Sequence, residues 1–365
     1  MMKRICLIGN NAFGNPVFDG QRIKVRTYKT ILEKEGFDVN FIELDKPYLR
    51  LFHIFSQIKK GIKECDVIVL ITSDNGEKIL IPYINKVNEK YKKRFVFSQI
   101  GTSFLYRHLK KLSEEEKREF FHNLNFGKQK PSKKVMKNLK LVDVVLTETD
   151  LINKAFKNFF GLSNCYCMTN FRIADNIKAP VKANESLKMI YLSRINERKG
   201  IFDLLKVVDV LIKDGKNLSL DIFGTLYLSD AEQKSFNRYL NEKIKYCGEL
   251  NPENVLSMIS NYNLFCFPTK CEGEGTPGCI VESLIVGVPV LSSSFTQSDE
   301  LLKDNVDSII YRFGDKEDLK SSISKILDRK IDMLELSKNA FESGKKFTYN
   351  FNRKRFLELI SGENK

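Results

Sequence analysis

Short apolar runs alternate with longer amphipathic stretches along nearly the whole chain. In the first half, residues 4–8, 38–42, 67–71, 94–98 and 142–146 read as strands. Helical patterns near 23–35, 51–63, 79–91 and 151–160 lie between them. The second half repeats the theme, with strands at 188–192, 219–223, 245–247, 264–267, 289–291 and 308–311. Its helices are expected near 200–213, 231–242, 252–260, 278–286 and 316–327. Such alternation builds parallel sheets covered by helices on both faces. The polar stretch 175–186, "DNIKAPVKANES", carries no periodicity and contains a proline, as an interdomain linker does. The predicted architecture is α/β: two doubly wound, Rossmann-like domains facing across a cleft. Ligands of such sheets bind beyond the carboxyl ends of the strands.

Composition agrees with two globular cores. The 365 residues are 42% hydrophobic and 29% charged, which excludes a disordered chain. No stretch approaches the ~18 uncharged apolar residues of a membrane span. The opening "MMKRICLIGNNAFG" is basic then apolar, but its apolar run is short and ends in a turn, which fits a first buried strand better than a signal peptide. A cytoplasmic protein, peripheral at most to the inner face of the cell membrane, is the expectation. The eight cysteines include no CxxC, and the three histidines do not cluster with them, so neither a zinc site nor a disulfide framework is expected. Cys65, Cys165, Cys167, Cys247, Cys266 and Cys279 lie in or beside apolar runs, where a free thiol behaves as a small hydrophobe.

Charge adds a hint about partners. The net charge is +14, which suits an anionic partner: nucleic acid, a membrane surface or a phosphorylated substrate. Residues 104–140 alone hold eleven Lys/Arg and four Glu. Leu105, Leu109, Leu112, Phe120, Phe121 and Leu124 are interleaved with these charges, so the segment can rest on an anionic membrane. A solvated helical hairpin is the plainer alternative.

The densest chemistry lies in "PTKCEGEGTPGCIVESLIVGVPVL" (268–291). A buried strand is followed by a loop, and Pro277 suits the first turn of a helix because its missing N–H costs nothing there. Thr276 is a plausible N-cap. Free N–H groups after Pro277, with Gly275 and Gly278 permitting close approach, make an anion site. Glu274 lies just outside the helix and Glu282 about one and a half turns inside it. Amides for charge and carboxylates for hydroxyls together fit a sugar nucleotide.

These residues carry a resemblance. "EGTPGCIVESLIVGVPV" resembles the E-x7-E signature of GT-B glycosyltransferases, specifically the large retaining family 4 group. Glu274, Gly275, Pro277, Glu282, Gly287, Pro289 and Val290 match its anchors, while Ser283 and Ile285 stand where small alanines are usual. "YLSRINERKGIFDLL" resembles the family's strand–loop–helix, with Arg194, Lys199 and Gly200 in the matching places. Gly224 in "LDIFG" and Leu250 in "YCGEL" fall where the nucleotide base is walled. "FTYNFNRKRFLELI" resembles a closing helix that crosses back to the first domain. The implied domains are 1–178, with the helix 347–365 packed against it, and 187–346. The first half resembles the family only loosely. Its loop has Gly14 and Gly20 but no Gly-Gly pair, with Gly20 the candidate for donor contact, and it does not match GxGxxG. Where some members carry a cleft histidine, "FSQIGTSF" has none, and Gly101 or Thr102 occupies the space.

The resemblance implies transfer of a sugar from a UDP- or GDP-sugar, with retention, to a saccharide or polyprenyl-diphosphate-linked acceptor in cell-surface polysaccharide biosynthesis. No Asp-x-Asp triplet occurs, so no metal or other cofactor is expected. Arg194, Lys199 and the helix start at Thr276–Gly278 would carry the leaving diphosphate. Glu274 would orient the donor sugar and Glu282 the ribose hydroxyls. No nucleic-acid partner is expected. Three alternatives stand beside this: a glycoside hydrolase using Glu274 and Glu282, whose carboxylates would sit ~5–5.5 Å apart; a non-catalytic nucleotide-sugar-binding subunit; and a sugar-nucleotide epimerase of the same fold.

Overall fold

Strands β1 (Arg4–Gly9) and β3 (Val67–Thr72) bury every residue except Arg4. Continuous burial of this kind marks parallel strands covered on both faces. The computed structural model describes residues 2–10, 20–44, 51–101, 112–124, 126, 130–174, 186–271 and 273–362. Gly14, Asp19, Thr102, Leu105, Leu109 and nearly all of the polar stretch 175–186 lie outside them. The chain divides into two units, Met1–Asn170 with Asn352–Lys365, and Phe171–Phe351.

The first unit adds β2 (Asp38–Glu43), β4 (Arg94–Gln99), β5 (Val144–Thr147) and β6 (Cys165–Cys167). Its six-stranded sheet runs β2-β1-β3-β4-β5-β6, with every pairing parallel. Its helices are α1 (Gly20–Lys34), α2 (Leu51–Glu64), α3 (Asp74–Tyr91), α4 (Glu114–Asn123), α5 (Lys133–Leu139) and α6 (Asp150–Phe160). The short β6, "CYC", has too few residues to show a period, and the sequence pattern missed it.

Some apolar residues of the basic segment turn inward. Phe120 is buried and packs on Phe126, which packs on Phe159 of α6. Leu112 and Leu124 rest against the same core. Phe120, Leu112 and Leu124 therefore contribute to the core of the unit. Lys130, Lys133, Lys134, Lys137 and Lys140 remain exposed.

The second unit holds β7 (Leu187–Leu192), β8 (Leu218–Phe223), β9 (Ile244–Tyr246), β10 (Leu264–Phe267), β11 (Val290–Ser293) and β12 (Ser308–Tyr311). Around them are α7 (Ile201–Lys213), α8 (Asp230–Asn237), α9 (Val255–Ile259), α10 (Gly278–Ile285), α11 (Ser298–Leu301), α12 (Lys316–Leu327) and α13 (Met333–Gly344). The sheet order is β9-β8-β7-β10-β11-β12, again all parallel. This is the Rossmann order, whose direction reverses between β7 and β10. Alternate residues of β7 serve the two faces: Met189 and Tyr191 join Leu204, Leu205 and Val208 of α7, while Ile190 joins Ile280, Val281 and Leu284 of α10. Strand β9 ends one residue before the expected 247, and Cys247 is exposed instead of buried.

The division between units falls at Asn170/Phe171, upstream of the polar stretch. Backbone pairing is the reason. Arg172 N–H donates to Phe347 C=O at 2.9 Å, and Tyr349 N–H donates to Arg172 C=O at 2.8 Å. From there α14 (Tyr349–Ser361) continues into the first unit. Phe356 meets Tyr28 edge-on at 4.8 Å, and Arg353 forks onto Glu35 at 2.8 and 2.6 Å.

Within the first unit, Lys24 of α1 reaches Glu148 at 3.2 Å, and both are almost wholly buried. Asn170 Nδ2 and Gly101 N–H also point at this carboxylate, each at 3.4 Å. Removing one member strands a buried charge. Lys24→Met is therefore expected to cost about 3–5 kcal/mol, and adding Glu148→Leu should recover most of the loss. Urea midpoints at unchanged m-value would measure both.

Candidate active site

The reversal point of the second sheet sets two loops side by side: 193–200 after β7 and 268–277 after β10. Their backbones touch. Gly200 has φ +74°, and a Cβ there would lie 1.7 Å from the Pro268 carbonyl oxygen. Only glycine tolerates both the left-handed conformation and the approach. The loops are also tied by charge. Lys270 N–H donates to Arg198 C=O at 2.9 Å, and Lys270 Nζ reaches Glu197 at 2.6 Å and Asp203 at 3.3 Å.

This contact brings together Lys199 and Glu274. Lys199 Nζ pairs with Glu274 Oε1 and lies 5.7 Å from the centre of the Phe267 ring. Thr269 Oγ1 donates to the same carboxylate oxygen at 2.8 Å. Ser293 Oγ, at the end of β11, donates to Thr269 C=O at 2.6 Å. Three adjacent strands therefore aim one carboxylate. Arg194 sits on the first loop with its side chain exposed, and its backbone carbonyl accepts from the buried Tyr191 hydroxyl at 3.0 Å. Among the described residues its guanidinium makes no ion pair.

Helix α10 begins at Gly278, with Pro277 as N-cap and no side-chain cap. Thr276, expected as the cap, is instead a buried residue one position too early. Pro277 takes the extended conformation, ψ 123°, that a cap requires. The Ile280 and Val281 N–H groups both turn to Pro277 C=O, so those of Gly278 and Cys279 have no intrahelical acceptor. Uncapped amides at the positive end of a helix suit an anion. Cys279 at this point is no nucleophile: desolvation, reinforced by the Glu282 charge, pushes its thiol up to about 12.

Ile280 through Ile285 are all buried, so Glu282 is a carboxylate inside an apolar helix. Its partner is Arg172, whose Nε donates to Glu282 Oε1 at 2.7 Å. The sequence reading missed Arg172. A carboxylate within an apolar helix does require a cation, but 110 residues separate the two. The other expected residues fall around the same sheet. Gly224 follows β8 with φ +135°, and a Cβ there would lie 1.9 Å from Ser193 O. Its own carbonyl accepts from the Tyr246 hydroxyl at 3.1 Å. Leu250 packs against the apolar cluster that covers the α10 face of the sheet, and Gly275 is buried in the loop ahead of α10. Gly20 belongs to the first unit, where it opens α1 with space around it. Among the described residues, no three His, Cys, Asp or Glu side chains are grouped to hold a metal ion. No helix among them is long and apolar enough to cross a membrane.

Residues 173–346 match the family model described as glycosyl transferases group 1. That segment is similar to this family, and it carries the whole Rossmann-ordered sheet. Among curated relatives, the capsular polysaccharide biosynthesis glycosyltransferase CapM of Staphylococcus aureus is 25% identical over 173 residues, covering 46% of this chain and 45% of CapM. The amylovoran biosynthesis glycosyltransferase AmsK of Erwinia amylovora is 24% identical over 165 residues, 44% of this chain and 40% of AmsK. The match therefore spans less than half the length of either relative. Solved structures extend the likeness to the whole fold. HepE of Anabaena, crystallised with UDP, superposes with TM-score 0.72 at 14% identity, over 99% of this chain and 100% of HepE. Sucrose-phosphate synthase of Thermosynechococcus elongatus gives 0.69 at 15% identity, over 99% and 100%. The fold is GT-B.

The touching backbones give a direct test. Gly200→Ala places a methyl against a carbonyl and adds left-handed strain, so a loss above about 1 kcal/mol is expected. Chemical denaturation would register it, and a variant as stable as the parent would show that the loops do not meet.

Proposed function

We propose that the chain is a metal-independent, retaining glycosyltransferase. It would move a sugar from a UDP- or GDP-sugar to a saccharide or polyprenyl-diphosphate-linked acceptor, in cell-surface polysaccharide biosynthesis. One observation carries this reading: at the reversal point of a Rossmann-ordered sheet, two cations, two carboxylates and the uncapped start of α10 converge. The names of CapM and AmsK support the pathway class, and the UDP held by HepE supports the donor class.

Negative charge grows on the diphosphate as the anomeric bond breaks. Arg194 and Lys199 meet that charge as preorganised cations, and the Gly278 and Cys279 amides add two fixed dipoles. Glu274 orients the donor sugar hydroxyls, and Glu282 holds those of the ribose. Gly224, Leu250 and Gly275 to Pro277 line the nucleotide. Retention follows if the departing phosphate takes the acceptor proton on the same face. The exposed lysines of 130–140 supply the charge for contact with an anionic cytoplasmic membrane surface.

The hydrolase reading loses ground to the ion pairs. A glycosidase gives its two carboxylates different tasks, whereas here each holds a cation. Incubation with a panel of nucleotide sugars, scored by nucleotide release with and without acceptor, separates a transferase from a binding subunit or an epimerase. Arg194→Ala and Lys199→Ala are each expected to lower turnover by roughly two to three powers of ten, with little change in melting temperature for the exposed Arg194 and a lower one for Lys199, whose loss strands Glu274. Wild-type rates in both would remove the diphosphate role. Activity should persist in EDTA, and rescue by added metal would contradict the metal-free mechanism.

A further inference from the structure

We propose that Arg172 is a further cation of the diphosphate site, and that donor binding exchanges its partner from Glu282 to phosphate. This rests on reading the site as one for a nucleotide sugar, and it adds a residue that the E-x7-E pattern does not contain.

Arg172 is about nine-tenths buried. Its backbone is locked by Phe347 and Tyr349, so the side chain leaves from a fixed point. Nε bonds Glu282 at 2.7 Å, and Nη1 donates to Phe171 C=O at 3.1 Å. Nη2 lies against Gly278: a Cβ on that glycine would be 2.2 Å away. The φ of Gly278 is not in the left-handed region, so its lack of a side chain serves the guanidinium and not the turn.

That placement is electrostatically incomplete. A cation beside the first residue of a helix faces the positive end of the dipole, and the amides of that turn call for an anion too. Glu282 answers the guanidinium but sits a turn deeper. A phosphate at Gly278 and Cys279 would satisfy the amides and Arg172 together, as a charge-assisted contact.

The exchange has two halves. Phosphate takes the guanidinium, and Glu282, left inside an apolar helix, needs new donors, which a pair of hydroxyls provides. A diphosphate alone strands the carboxylate, and hydroxyls alone strand the guanidinium. A nucleoside diphosphate offers both, so the ion pair makes the site favour the joined ligand over either part. Lys199 and Glu274 repeat the arrangement on the loop before α10.

Calorimetry on the full chain with inorganic pyrophosphate, UDP and GDP reads this coupling. Glu282→Gln releases the guanidinium, so pyrophosphate should bind about tenfold more tightly, while the better-bound of UDP and GDP weakens by about tenfold. Arg172→Gln should weaken both probes by about tenfold or more, and Arg172→Lys should keep most of the pyrophosphate affinity. A purely structural clamp predicts no gain for Glu282→Gln and equal losses in both Arg172 variants. If the parent binds UDP or GDP but Glu282→Gln, with a native melting curve, shows no gain for pyrophosphate, the exchange is overturned and the site stands. Should Glu282→Gln fail to fold, parental affinities in Arg172→Gln overturn it equally. A parent that binds neither nucleotide overturns both readings.

Discussion

Two backbones in contact hold the site together. Gly200 presses on the Pro268 carbonyl, and no side chain could stand between them. Because β7 and β10 are neighbours at the reversal of strand order, the loops leaving them must diverge or touch. Touching puts Lys199 within reach of Glu274 and leaves α10 to start immediately behind. Side chains then refine what the backbone contact decides. Ser293 fixes a carbonyl, Thr269 fixes a carboxylate oxygen, and Tyr191 fixes the carbonyl of Arg194.

Charge at this point is balanced locally. Each carboxylate of the E-x7-E stretch has its own cation, one supplied by the neighbouring loop and one by the segment preceding the sheet. An isolated buried carboxylate would be costly, and pairing lowers that cost without making the site rigidly neutral, because Arg194 remains exposed. A net positive edge with internally matched pairs attracts an anion and still requires it to compete. On the proposed reading, affinity would be given up in return for discrimination between similar ligands.

Much of this was legible in the sequence. Apolar runs such as "VIVLIT" and "LFCF" located central strands, since short β-branched and aromatic runs bounded by polar residues suit a sheet covered on both faces. Glu274, Glu282, Arg194 and Lys199 could be singled out because each belongs to a short local pattern, two loops and the first turns of α10. Arg172 was not, since its tie to Glu282 depends on tertiary folding across 110 residues. Phe120 among lysines looked like a membrane contact because a one-dimensional pattern cannot say which side an amphipathic helix turns inward. The cap at Pro277 instead of Thr276 turned on a single ψ angle, which composition does not encode.

The parallel bridge between Arg172 and Thr348 has a topological meaning. The chain enters the second unit and leaves it at the same spot, so residues 171–351 form an insert whose ends are already zipped together. New termini could be opened in one of its surface loops without separating entry from exit. The same zipper is the root from which the Arg172 side chain extends to Glu282, so the doorway of the insert and the floor of its site are built from a single residue.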